Sequence, residues 1–260
     1  MRGSREHEEP AVRNRESWMP GKFVIRRGRL RASRDPKALS PTSILMADAI
    51  ALSFERALDR NARGRLLDLG CGRVPLFAAY RRHVGEIICV DWGRSLHGCL
   101  HLDCSADLSA ELPFGDSRFD TVILSDVLEH VPRPLLLWRE IARVLAPGGR
   151  VLVSVPFYYP LHERPRDYYR YTEHGLRWLA EQSGMTVISI EPLGGAPEVA
   201  ADVISKSMLR MPWPLSYLAR WLQRLASALV SRGPGRRFSR ATASRFPFGY
   251  FMVAEKPEPR

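Results

Sequence analysis

The chain has 260 residues, 45% of them hydrophobic and 26% charged, which supplies enough apolar material for a core and excludes a disordered polypeptide. Its net charge of +11 is concentrated at the ends: residues 1–40 hold 11 Lys/Arg against 5 Asp/Glu, residues 200–260 hold 11 against 3, and the middle is slightly acidic. No apolar run reaches membrane-spanning length, the charged MRGSREHEEP is not read as a secretory leader, and Cys71, Cys89, Cys99 and Cys104 lack the paired spacing of a zinc site. A cytoplasmic protein with free thiols and no metal is the expectation.

Residues 1–39 carry many charges and little periodicity, and read as a basic, largely irregular arm. SPTSILMADAIALSFERAL then reads as a helix, with Pro41 at its start and Leu45, Ala49, Leu52 and Leu58 near helical period. From there strands and helices alternate. RLLDL is a first strand, followed by a helix from Pro75 through Tyr80; EIICVD and CLHLD are the second and third strands, and FDTVILS the fourth. RPLLLWREIARVLA is an amphipathic helix ended by Pro147-Gly148-Gly149, and RVLVSVPF is a fifth strand, apolar on both faces. TEHGLRWLAEQSG is a helix with Thr172 as N-cap and Gly184 past its end, and MTVISIE and FGYFMVAEKP complete seven strands. This alternation predicts an α/β doubly wound, mostly parallel seven-stranded sheet. The expected division is an arm over 1–39, a core over 40–193, a helical basic insert or lid over 194–245, and the last strand and tail over 246–260.

LLDLGCGRVP, residues 66–75, carries the first chemical signal. A buried strand ends in Asp68, and Gly70 and Gly72 open a turn in which a backbone can approach a ligand closely. Ligands of doubly wound sheets bind at the carboxyl ends of the strands. A dinucleotide turn would have a third glycine and a helix N-terminus for its pyrophosphate. Here Val74 and Pro75 follow, the proline removes an amide donor, and Asp68 repels phosphate. A ligand with an amino group and a cationic sulfur suits that carboxylate, as in S-adenosylmethionine.

LLDLGCG resembles the first motif of the class I S-adenosylmethionine-dependent methyltransferases. LPFGDSRFDTVILSDVLEHVPRPLLLWREIARVLAPGGRVLVSVPF resembles the type 11 methyltransferase domain almost without gaps. The resemblance covers residues 64–192 and implies a Rossmann-like methyltransferase fold with S-adenosylmethionine as cofactor. It further implies that Asp68, Gly70 and Gly72 hold the methionine end, that Asp91 accepts hydrogen bonds from both ribose hydroxyls, and that Trp92 stacks on adenine. Asp107 would take the adenine amino group, with Asp103 as fallback, and Ser125 would face the sulfonium. Glu129 and His130 of the LEHV signature are read as structural residues at a helix start.

The acceptor is expected over the loop after the fifth strand, PFYYPLHERPRDYYRYT, which holds five of the eight tyrosines. Tyrosine faces and hydroxyls suit sugar or aromatic rings. Tyr158, Tyr159, Tyr168 and Arg170 are the candidate acceptor contacts, and His162 the candidate general base for an acceptor hydroxyl, with Glu163 and Asp167 to orient it. The alternative for Asp167 and Arg170 is a pair internal to a rigid connector. A nucleic-acid acceptor is not expected: SDVLEH stands where amino-methylating enzymes carry a D/N-P-P-aromatic motif, and no cysteine follows a proline as C5 methylation needs. A small-molecule or glycan-type acceptor remains. A non-catalytic scaffold of the same fold, or a nicotinamide oxidoreductase, are the alternative functions. In YLARWLQRLASAL, Leu218, Trp221, Leu222, Leu225 and Leu229 share one face opposite Arg220, Gln223, Arg224 and Ser227. The stripe is expected to pack on the domain as a lid; the other reading is a peripheral membrane contact through residues 213–230.

Overall fold

The computed structural model describes residues 11–93, 98, 100–209, 211–212 and 215–259. Cys99, Trp213 and Pro214 lie outside the described residues. A two-stranded antiparallel hairpin comes first, β1 (Phe23–Arg26) and β2 (Arg29–Ala32). Its turn is Arg27-Gly28, with φ of 53° and 72°, the left-handed pair that suits a two-residue hairpin loop. Residues 23–32 are thus ordered where an irregular arm was expected. The long helix α1 (Ile44–Asn61) follows, preceded by a short 3₁₀ turn at Pro41–Ser43.

The main sheet runs through β3 (Arg65–Leu69), β4 (Glu86–Asp91), β5 (Cys104–Ser105), β6 (Phe119–Ser125), β7 (Leu145–Pro156), β8 (Thr186–Leu193) and β9 (Gly249–Glu255). Its order is β5-β4-β3-β6-β7-β9-β8, with only β9 antiparallel to its neighbours. The predicted α/β doubly wound sheet is therefore present. Its third strand is only two residues long and starts after CLHLD, because Asp103 there accepts the Cys89 N–H (2.8 Å) and ends the segment in a bond to the sheet edge.

Alternation along β3 sets the layers. Leu66 faces one core with Ile50, Phe54 and Phe77, whereas Leu67 and Leu69 face the other with Phe119, Leu137 and the fully buried Trp138. The first core lies under α1 and the single turn α2 (Phe77–Tyr80), which is shorter than the helix expected from Pro75. The second lies under α3 (Pro134–Val144) and α4 (Glu173–Glu181). Thr172 caps α4 as predicted, accepting the Gly175 N–H at 3.1 Å, and Gly184 past its end has φ of 72°. The insert before β9 forms α5 (Ala196–Met208), α6 (Leu215–Val230) and α7 (Gly233–Thr242).

Helix α6 does not bury its apolar stripe. Ala219 and Gln223 are buried, while Leu218, Trp221, Leu225 and Leu229 are 51–63% exposed. The reason is the surface offered by α5: Ala201 and Ser205 admit only small or polar neighbours, and Gln223 donates to the Ser205 hydroxyl at 2.7 Å. The expected lid packing of the stripe is replaced by packing through the opposite, smaller face.

Candidate active site

The sheet order reverses between β3 and β6, so the crevice opens beyond their carboxyl ends. Gly70 and Gly72, after β3, have φ of 70° and 51°. Gly70 is required by packing as well as by φ, since a Cβ there would lie 2.5 Å from a Val127 methyl carbon. Val74 keeps a positive φ of 53° in place of the missing third glycine, so the turn survives the substitution at the cost of a β-branched residue in the left-handed region. The N-terminal segment clasps this turn: the Trp18 indole N–H donates to the Val74 carbonyl at 3.1 Å.

Asp91, at the end of β4, reaches the glycine turn. Its carboxylate accepts the Gly72 N–H at 2.8 Å and the Trp92 N–H at 2.6 Å. Asp68 is buried and accepts the Tyr80 hydroxyl at 3.0 Å. Burial raises its pKa to about 7, the Tyr80 hydrogen bond pulls the other way, and the charge of Asp91 adds to the rise. Two carboxylates flank the turn, and the following helix is one turn long behind a proline. That donor set accommodates an ammonium group and a vicinal diol and opposes a pyrophosphate, so the residues present fit S-adenosylmethionine.

The remaining cofactor candidates are less uniform. Trp92 lies beside the turn, but the Arg166 guanidinium covers one ring face at 3.7 Å. Asp107 is exposed and accepts the Ser109 N–H at 2.8 Å, the geometry of a local turn, and Asp103 is occupied at the sheet edge. Ser125 ends β6, 3.4 Å from the Ser154 hydroxyl, which also bonds Asp126 at 3.0 Å. Asp126 in turn pairs with Lys22 from the N-terminal segment at 2.5 Å. Burial opposes charge on Lys22, but Asp126 outweighs it and the lysine pKa is raised.

The acceptor loop after β7 folds back onto the segment after β6. His162 comes to rest against His130, with Nε2 atoms 3.2 Å apart, and both Nε2 atoms lie 3.7 Å from Glu129 Oε1. Glu129 is fully buried; burial, then the nearby Asp126, push its pKa well up. Burial, then His130, hold the His162 ring below the usual imidazole range. Asp167 accepts the His162 backbone N–H at 2.9 Å and is held down at about 2, first by Arg170.

Arg170 is not free for an acceptor. Its guanidinium is bidentate to Asp167 (2.5 and 2.8 Å) and also reaches the carbonyls of Tyr159, Pro160 and Tyr169. The i,i+3 ion pair and these carbonyls together occupy the guanidinium's donors, so the internal pairing is present. Tyr159 is enclosed, its hydroxyl 3.3 Å from Ser43 and its ring under Lys206 at 3.5 Å. Tyr158 and Tyr168 remain 41% and 47% exposed. Lys22 is a site group that sequence reasoning missed, and Glu129 and His130, read there as structural residues, stand against His162.

This is the architecture of a class I methyltransferase domain, and comparison with known proteins agrees. The model of the methyltransferase domain family matches residues 45–190, and the chain belongs to that family. It is a S-adenosylmethionine-dependent methyltransferase domain by this membership. The segment is similar to the ubiquinone biosynthesis O-methyltransferases of Aeromonas salmonicida, 31% identical over 101 residues, and of Xanthomonas campestris, 34% identical over 103. In both cases the match spans 35% of this chain and 42% of the relative. Among solved structures, a Haloferax volcanii methyltransferase in complex with the Trm112 activator superposes with a TM-score of 0.53 at 22% identity, covering 79% of this chain and 89% of that one. The [4+2]-cyclase SpnF superposes with a TM-score of 0.51 at 17% identity, covering 93% and 88%.

Proposed function

We propose that the chain transfers a methyl group from S-adenosylmethionine to a hydroxyl of a small-molecule or glycan-type acceptor. The observation that carries this reading is the meeting of His162, His130 and Glu129 beside the glycine turn, with Val127 packed on Gly70 linking the two. Bound S-adenosylmethionine supplies a methyl group on a sulfonium that is already a good leaving group. The chain supplies alignment and a place for the acceptor's proton. Asp68, Gly70, Gly72 and Asp91 hold the cofactor, Trp92 and Asp107 border its adenine, and Ser125 borders the reacting end. His162, neutral near physiological pH, takes the proton. Tyr158 and Tyr168 line the approach, Tyr159 backs it from the enclosed side, and Arg170 positions the loop through Asp167. The O-methyltransferase relatives agree with a hydroxyl acceptor. Incubation with labelled S-adenosylmethionine and a panel of phenolic and saccharide acceptors tests the reading: transfer to oxygen supports it, and transfer confined to amines overturns it.

The raised pKa of Asp68 predicts pH-dependent cofactor binding. A cationic ligand pairs with the ionised carboxylate, and below about pH 7 a proton must first be expelled. Affinity for S-adenosylmethionine should therefore rise between pH 6 and pH 8, by at most about tenfold per unit. Calorimetry at the two pH values checks this. The same slope in Asp68→Asn would remove Asp68 from the cofactor's environment.

We further infer that the acceptor is met at an anionic membrane surface. No described helix is long and apolar enough to cross a membrane, but α6 presents Leu218, Trp221, Leu225 and Leu229 outward, with the Arg224 guanidinium 5.6 Å from the Trp221 ring centre. An exposed apolar stripe on a helix that carries basic residues on its other side suits the headgroup boundary of an anionic bilayer. Sedimentation with phosphatidylglycerol vesicles should carry the chain into the pellet at low salt, and Trp221→Glu with Leu225→Glu should return it to the supernatant. A wild-type chain that stays in solution at low salt contradicts the inference.

A further inference from the structure

The three groups beside the acceptor loop are arranged as a set of electron-pair donors. His130 Nδ1 lies 2.7 Å from the Arg166 carbonyl, which can only accept, so Nδ1 carries the hydrogen and Nε2 presents a lone pair. His162 Nδ1 stands 3.4 Å from the Asp167 carboxylate without a hydrogen-bond partner among the described residues, and its Nε2 faces that of His130. These two Nε2 atoms are 3.2 Å apart and each stands 3.7 Å from Glu129 Oε1. Glu129 is fully buried, and neither carboxylate oxygen has a hydrogen-bond partner among the described residues. A buried carboxylate without a partner is costly unless a cation compensates it. The point equidistant from the three donor atoms lies about 2 Å from each, the length of a zinc–nitrogen or zinc–oxygen bond.

We propose that Glu129, His130 and His162 form a binding site for one divalent first-row transition-metal cation, with an open position for the acceptor's oxygen. Two imidazoles and one carboxylate are a donor set suited to zinc, manganese, iron or cobalt, and three protein ligands leave coordination free for a substrate. Part of the outer shell is in place: the Arg166 carbonyl behind the His130 ring orients its Nε2 inward, and Asp167 anchors the His162 backbone N–H at 2.9 Å. The open side is reachable, because the His130 and His162 side chains remain 15% and 27% exposed.

The ion's role rests on the reading of a hydroxyl acceptor at this site; its binding does not. A cation on the acceptor oxygen eases loss of the proton. With the ion bound, His162 Nε2 is a ligand and no longer the proton acceptor it is without the ion: the O–H bond breaks, the proton passes to water, and the electron pair stays on oxygen to form the new bond to the methyl carbon. The C–S pair leaves on sulfur. The expectation of no metal was made from cysteine spacing; two neighbours and a histidine 32 residues away have no sequence spacing that such reasoning examines.

The test is titration of the full chain, stripped by chelator, with Co²⁺ and then Zn²⁺. One ion per chain should bind, with the visible absorption of a low-coordinate nitrogen-ligated cobalt site, and zinc should displace it. Glu129→Gln, which keeps the buried volume, and His162→Gln, on the loop, should each weaken binding beyond the roughly 10–100-fold loss typical of outer-shell changes. Their thermal unfolding and S-adenosylmethionine affinity report that the fold is kept. A wild-type chain that gives no cobalt absorption, or that binds as tightly in both variants, overturns the site. Binding that depends on these residues, without transfer to any hydroxyl, supports the site and overturns only its catalytic role.

Discussion

His162→Ala is expected to keep affinity for S-adenosylmethionine within a few-fold of wild type and to lower methyl transfer to a hydroxyl acceptor by roughly a hundredfold or more, whether the imidazole holds the proton or an ion. The imidazole is placed for this by the chain around it. Its backbone N–H is tied to Asp167, and Asp167 is tied to Arg170, so the loop is rigid where the ring projects. None of these contacts involves the glycine turn, which is why cofactor affinity should not move. Steady-state transfer from labelled S-adenosylmethionine, with calorimetry in parallel, separates the two effects. Turnover within a few-fold of wild type would mean that alignment alone carries the reaction and that an amine acceptor is favoured.

Asp91→Ala should weaken S-adenosylmethionine binding by about 1.5–3 kcal/mol, the usual worth of hydrogen bonds to a charged group. Asp91 has a second function in the structure, since it receives the Gly72 N–H and so holds the turn in the shape that admits the cofactor. Asp91→Asn separates these contributions: it keeps an acceptor for Gly72 while losing the charge, and should fall between wild type and alanine. Wild-type affinity in a folded Asp91→Ala would remove this carboxylate from the cofactor site.

The parts of the fold written as local patterns were legible. FDTVILS matches β6 residue for residue, Thr172 caps α4, and the order of motifs matched the family. The hairpin at residues 23–32 was missed because its arginines disguise the alternation of a strand, although Gly28 marks its turn. Amphipathicity of α6 was read correctly, but which face packs depends on α5, whose small residues no local pattern in α6 reveals. The glycine turn was legible because its residues are contiguous. The acceptor side was not, because Glu129 and His130 acquire their chemistry only when the loop carrying His162 folds over them. Arg170 was offered both as an acceptor contact and as an internal partner of Asp167, and the structure pairs it with that residue three positions away.

The SpnF cyclase on a similar fold shows that architecture does not by itself decide the reaction. Cofactor choice is therefore the first matter to settle in solution. Calorimetric titration of the full chain with S-adenosylmethionine and with NAD⁺ does this most directly. Binding of S-adenosylmethionine at one site per chain, weakened in Asp91→Ala and with no heat from NAD⁺, is the predicted result; binding of NAD⁺ and none of S-adenosylmethionine would contradict it.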